Sequence, residues 1–368
     1  MTRRVAVVGA NGFIGNRLVE TLHIGGTFSV RPIVRRTEAL ALARRFDLDG
    51  AVADACDGAA LEKALAGCDL VVHAVAGDPA TIVASAAATY RAACAAGVGR
   101  MVYLSSASVH GQSPPPGTTD ETPLSDRQTI AYNNAKVRAE NLLRRMRQDG
   151  QAGLLILRPG IVYGPRSSWI GGFADDLLAG RGVLVNGGEG ICNGIYVDNL
   201  VDAVVLALEG RGRDGEAYGV GDAETYRWVD LLEPVAATLG TEPLRVDVAP
   251  GPVGGPGLRS SALGTARAMA KSLLPGRVRA ALRAGHAAFR AYPAPPRPRR
   301  TRREPLVSEE MALLHGCAWK LPHDRATRDL GYAPRISFRE GLARSLAWLE
   351  FADYPVITAS RAGDGEPA

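Results

Sequence analysis

No run of about eighteen consecutive apolar residues occurs in this 368-residue chain, so the sequence predicts no helix long enough to cross a bilayer. Nor does a charged leader with an apolar core precede the first apolar run at Val5, which argues against a secretory signal. Cysteines number five, Cys56, Cys68, Cys94, Cys192 and Cys317, without a close pair. An odd, scattered set argues against a disulfide framework and fits reduced thiols, so a cytoplasmic location is expected. No cluster of cysteine and histidine has ligand spacing, so no metal is expected. Aromatic residues make up only 6% of the chain, and none interleaves its basic stretches in the manner of a nucleic-acid surface, so no nucleic-acid partner is expected.

What is present is an ordinary globular composition, 46% hydrophobic and 22% charged, sufficient for one large or two ordinary domains. The net charge of +5 is local: Ala249–Arg303 holds twelve Arg or Lys and no Asp or Glu, leaving the remainder net acidic. Apolar runs at Val5–Val8, Phe28–Val34, Ala51–Ala53, Leu70–Val75, Met101–Ser105 and Leu154–Leu157 read as strands. Helical patterns separate them at Phe13–Leu22, Ala39–Arg45, Ala59–Leu65, Thr81–Ala95 and Ile130–Arg147. Fully apolar strands alternating with helices predict an α/β fold with a doubly wound parallel Rossmann sheet, its ligand crevice at the carboxyl ends of the strands. Beyond Pro159 the alternation loosens. A helix over Asn199–Glu209, a strand near Ala217–Val220, a helix around Trp228–Leu239 and a last helix over Phe338–Phe351 are assigned to a smaller α/β substrate lobe. The expected division is 1–160 for the dinucleotide domain and 161–358 for the lobe, interleaved with it, with a basic helical insert at 259–303 and a frayed tail at 359–368.

Two patterns carry the chemistry. Gly9-x-x-Gly12-x-x-Gly15 follows the first strand run and opens the first helix, as needed where backbone must turn sharply, approach a pyrophosphate and offer it free N–H donors. Tyr132 and Lys136 stand one turn apart on a helix and share a face. A free tyrosine titrates near ~10, and a neighbouring ammonium lowers that value by stabilising the phenolate, making the phenol a usable general acid or base. Upstream, Ser105, Ser106 and Ser108 bring hydroxyls to the carboxyl end of a central strand, where a substrate oxygen would need orienting.

These motifs, together with Asp54, His73-Ala74-Val75-Ala76, Ser106-Ala107-Ser108-Val109-His110-Gly111, Arg158-Pro159-Gly160-Ile161-Val162-Tyr163-Gly164-Pro165, Tyr196-Val197-Asp198-Asn199 and Leu330-Gly331-Tyr332-x-Pro334, resemble the extended short-chain dehydrogenase/reductase family, also called the NAD-dependent epimerase/dehydratase family. The resemblance implies Tyr132 as catalytic acid/base, Lys136 as binder of the nicotinamide ribose, and Ser106, five residues before Gly111, as the group polarising the substrate oxygen. It implies a cofactor-binding set of Gly9, Asn11, Gly12, Phe13, Ile14, Gly15, Asp54, Ala74, Val75, Ala76, Tyr132, Lys136, Pro159 and Ile161. Ser108, His110 and Arg166 are the candidate substrate contacts, His110 standing where the family usually has tyrosine. The same resemblance implies a homodimer built on Thr81–Ala95 and the Tyr132 helix.

The second strand ends in Arg35-Arg36 with no acid to receive an adenosine ribose, so NADP(H) is favoured over NAD(H); simple solvated arginines are the other reading. Dehydratases of the family carry Thr-Asp-Glu where this chain has Ser106-Ala107-Ser108, which disfavours elimination of water. The expectation is an NAD(P)-dependent oxidoreductase moving hydride at a carbinol or ketone carbon, most naturally NADPH-dependent reduction of a nucleotide-sugar or natural-product carbonyl. An epimerase with retained NAD is the runner-up, and a non-catalytic NADP(H) sensor ranks below both. Leu263–Tyr292 reads as a basic amphipathic helix pair broken at Pro275-Gly276. Three uses stay open: peripheral membrane contact through 263–303, a lid that attracts a phosphorylated substrate, or a solvated lid packed on the substrate lobe.

Overall fold

The computed structural model describes residues 2–248 and 307–357. The basic stretch 259–303 and the tail 359–368 lie outside the described residues, and with them the helix-pair and membrane-contact expectations. The chain runs β1 (Arg4–Val8), α1 (Phe13–Gly25), β2 (Ser29–Val34), α2 (Ala41–Arg44), β3 (Ala51–Val52), α3 (Gly58–Leu65), β4 (Leu70–His73), α4 (Pro79–Ala95), β5 (Arg100–Leu104), α5 (Ala131–Asp149) and β6 (Gly153–Pro159). There follow β7 (Ile161–Tyr163), α6 (Phe173–Leu178), β8 (Val183–Val185), β9 (Ile191–Cys192), β10 (Gly194–Tyr196), α7 (Val197–Leu208), β11 (Ala217–Val220), β12 (Tyr226–Arg227), α8 (Trp228–Thr238) and β13 (Leu244–Val246). After residue 307 come α9 (Glu309–His315), α10 (Asp324–Leu330) and α11 (Phe338–Phe351). No helix among the described residues is long and apolar enough to cross a membrane.

Seven strands form one sheet in the order β11-β6-β5-β4-β1-β2-β3, every neighbour parallel. The apolar runs of the sequence are explained by cover on both faces. In β1, Val5 and Val7 enter the core beneath α1 and α7, while Ala6 and Val8 enter the opposite core beneath α3, α4 and α5. Strand order reverses at β1, flanked by β2 and β4, which opens a crevice at their carboxyl ends.

One assignment is corrected. The helix at Asn199–Glu209 and the strand at Ala217–Val220, expected in the lobe, belong to the sheet: β11 pairs with β6, and α7 buries Leu200, Val204 and Ala207 in the core that holds α1. The chain passes through lobe pieces between β6 and β11, and this single long excursion is why the local pattern loosens before the sheet is complete. The lobe proper has its own core of Tyr163, Leu184, Trp228, Leu232 and Leu349. It is joined to the sheet through buried Asp222, which accepts hydrogen bonds from the Tyr163 and Tyr226 hydroxyls at 3.0 Å each, from Tyr196 N at 3.0 Å and from Asn199 Nδ2 at 2.8 Å.

Candidate active site

The glycine loop closes against the end of β4. Gly9 has φ +89°, and a Cβ there would stand 2.7 Å from the Ala74 carbonyl oxygen, so only glycine lets the loop and the 74–76 segment approach this closely. Gly12 caps α1 with no side-chain cap and no acid in the first turn, leaving the first amides of Phe13, Ile14 and Gly15 facing out of the helix. Those free donors and the helix dipole suit an anionic diphosphate. The residues present therefore fit a dinucleotide. Arg35 and Arg36 are exposed at the end of β2, while Ile33 O two residues earlier accepts from Gly9 N and Ala10 N. Asp54 is exposed after β3, where its Oδ1 accepts from Cys56 N at 2.9 Å.

Ser105, Ser106 and Ser108 end up in different places. Ser105 is buried and its hydroxyl donates to Glu140 Oε1 at 2.6 Å. Ser106 begins the one-turn helix Ala107–His110 and accepts from Ser108 N at 3.2 Å and Ser108 Oγ at 2.9 Å. Its own proton is left to be donated, to the Tyr132 phenol oxygen or to a ligand oxygen in its place. Ser106 and Ser108 line a cavity whose apolar wall is Pro114, Ile161, Ile191, Trp228, Leu314 and Leu321. Arg166 is elsewhere: exposed, at φ +72°, it donates to Asn16 Oδ1 at 2.7 Å beside the start of α1.

Lys136 is buried, its Nζ donating to Leu104 O at 2.8 Å and lying 5.8 Å from the Tyr132 ring centroid. Burial pushes its pKa down to about 8, with the Glu140 carboxylate pulling upward. The Tyr132 phenol is raised above its ordinary value by burial, against which the Ser106 hydroxyl acts to lower it. The net shift is therefore upward, opposite to the direction expected from the ammonium. Lys136 gives one of its three N–H donors to the Leu104 carbonyl, and at the phenol loss of water outweighs what its charge contributes.

Several site residues carry no local signal in the sequence. Glu140, fully buried, takes both arms of buried Arg158 at 3.0 and 2.7 Å, and Arg158 also meets His110 Nε2 at 3.3 Å and donates to Asp120 O at 3.0 Å. The four-residue step Tyr132, Lys136, Glu140 on one helix face was the clue to Glu140. Burial lowers the His110 pKa to about 4, and Arg158 adds to it, so its ring is neutral at pH 7. Asn193 has no such clue. It donates to Trp319 O at 2.9 Å and accepts from Leu321 N at 2.8 Å, fixing a remote segment over the cavity.

Residues 5–221 match the model of the NAD dependent epimerase/dehydratase family. A 3-diazoavenalumate denitrifying reductase from a Streptomyces species is 33% identical over 66% of this chain and 83% of its own length. A 4-hydroxy-2-methyl-3-oxo-4-farnesyl-3,4-dihydroquinoline-1-oxide ketoreductase from Stigmatella aurantiaca is 26% identical over 92% of this chain and 94% of its own. Among solved structures, a dTDP-glucose 4,6-dehydratase from Streptomyces venezuelae with NAD bound superposes with a TM-score of 0.69 at 22% identity, covering 95% of this chain and 97% of the other, and shares the fold. With the sheet order, the glycine loop and the Tyr132-Lys136 pair all in place along the matched region, the chain belongs to the NAD-dependent epimerase/dehydratase family of extended short-chain dehydrogenases/reductases, a family of NAD(P)-dependent enzymes acting on small molecules.

Proposed function

We propose that this protein is a cytoplasmic, NADPH-dependent reductase of a ketone with an apolar body, closer to a natural-product carbonyl than to a nucleotide sugar. The observation that carries this reading is Tyr132, its phenol kept protonated by burial and hydrogen-bonded to Ser106, which lines a cavity with an apolar wall. A protonated phenol is the form a reductase needs, because the new alcohol oxygen must receive a proton. When bound, the reduced nicotinamide supplies hydride to the carbonyl carbon. Ser106 donates its free proton into a hydrogen bond with the carbonyl oxygen, Tyr132 transfers its phenolic proton to that oxygen, and the Lys136 ammonium over the ring stabilises the phenolate left behind. The phenol is then reprotonated from solvent. The reductase names of two relatives support the direction of reaction. Arg35 and Arg36 support NADPH, since two guanidinium groups suit a 2′-phosphate.

Titration with NADPH and NADH, followed by nicotinamide fluorescence, tests both parts. Tight NADPH binding should weaken about ten-fold or more in Arg35→Ala/Arg36→Ala, and Tyr132→Phe should cut reduction of an apolar ketone at least a hundred-fold while keeping NADPH affinity. Preference for NADH, or NAD retained through purification, would instead make an epimerase the better account.

A further inference from the structure

Next to the cavity bordered by Ser106 lies a small inner one, lined by His110, Asp120, Arg158 and Lys320, for which the reduction chemistry has no use. The two share Ala107, Gly160, Asn193 and Leu321 as a common wall. The inner cavity has room where Gly219, in β11, and Gly221, just beyond it, carry no side chains. A Cβ on Gly219 would stand 2.8 Å from Asp120 Oδ1, and one on Gly221 would stand 3.8 Å from Lys320 Nζ.

Most charged groups around this cavity have partners. Arg158 is spent on Glu140, Asp120 O and His110, and Asp120 Oδ1 accepts from Gly219 N at 2.7 Å. Lys320 differs. Its Nζ donates to the main-chain oxygen of Asp222 at 3.0 Å, which occupies one of three N–H donors. The Asp222 carboxylate is already engaged by two tyrosines, Asn199 and Tyr196 N. Among the described residues no carboxylate reaches ion-pair distance of Nζ; Asp222 and Glu224 act on it only from farther away. Besides the Asp222 main-chain oxygen, Nζ has the Tyr226 ring at 6.0 Å, and a half-buried ammonium without a counter-ion at contact, facing a cavity beside a reaction centre, is suited to bind an anion.

We propose that Lys320 binds a carboxylate at one end of the substrate, so that the compound reduced is an oxo acid whose carbonyl lies at Ser106 while its acidic end fills the inner cavity. The oxo-acid part rests on the reductase reading; the carboxylate site does not. His110, whose Nδ1 atom is buried without a partner, is one of the residues lining the same space.

Calorimetry on the full chain with 4-phenylbutyrate and its neutral amide reads the site without turnover. The wild type should bind the carboxylate at least about ten-fold more tightly than the amide. Lys320→Met should bring the ratio to within about two-fold, and Lys320→Arg should retain the preference. A wild-type ratio near one, or a preference that survives Lys320→Met, overturns the proposal. Amine labelling of the wild type, read by peptide mass spectrometry, covers the case in which the variants do not fold. The carboxylate should slow modification of Lys320 and the amide should not, and an equal effect overturns the site. Discrimination without reduction of any oxo acid would leave the site standing and remove the reductase reading. Reduction without discrimination would remove only the site.

Discussion

Lys136 shows how one buried side chain sets a working range. Its pKa near 8, against 10.5 in water, comes from burial and is held from falling further by Glu140 one turn along the helix. The protonated form is needed to stabilise the Tyr132 phenolate, so kcat/KM for reduction should decline above about pH 8. In Glu140→Gln the decline should begin at lower pH, because the carboxylate that favours the ammonium is gone. A pH–rate profile unchanged by the substitution would show that Glu140 acts on Arg158 alone. Local spacing made Gly9, Tyr132 and Lys136 legible, since a glycine turn and an i, i+4 pair are properties of neighbouring residues. The direction of the Tyr132 shift was not legible, because burial is contributed by segments distant in the chain. Lys320 and Asn193 were invisible for the same reason: 127 positions separate them, and nothing in either neighbourhood announces that they meet around one cavity.

Elements with strong internal patterns could be read from the sequence, and α11 occupies Phe338–Phe351 as its periodicity indicates. The helices α4 and α5 differ from expectation by two residues or fewer at each end. The failures were α7 and β11, whose own patterns were recognised while their place was not. An apolar helix can cover a sheet or fill a lobe, and pairing with β6 decides which. Asp222, just beyond β11, holds this junction together. Asp222→Ala would leave the Tyr163 and Tyr226 hydroxyls buried without their acceptor, at about 1–3 kcal/mol for each group left unpaired, while Asn199 Nδ2 keeps Ile336 O. The melting temperature should fall by at least about 5 °C. Asp222→Asn, which keeps one oxygen acceptor, should lose less, and equal losses in the two variants would count against the hydrogen-bond account.

Across the whole molecule, buried His73 and His315 and half-buried His110, among the described residues, are all held neutral. Burial lowers His73 to about 3, His110 to about 4 and His315 to about 4, from 6.5 in water. Between pH 6.5 and these values the unfolded chain binds more protons than the folded one, so stability must fall as pH falls through that window. The slope approaches about 1.4 kcal/mol per pH unit for each histidine that titrates only on unfolding. Thermal unfolding at pH 7 and pH 5 should show a clearly lower midpoint in acid, and a flat response would mean that these rings protonate in place. The position of β11 has a different consequence, one of timing. A ribosome delivers β1 through β6 well before Val220 emerges, so the nascent sheet waits with β6 as an open edge and with the α1 core lacking α7. Unpaired edges and bare apolar faces are where growing chains associate wrongly. The cofactor half therefore cannot mature ahead of the lobe, and synthesis must proceed past residue 220 before either can be used.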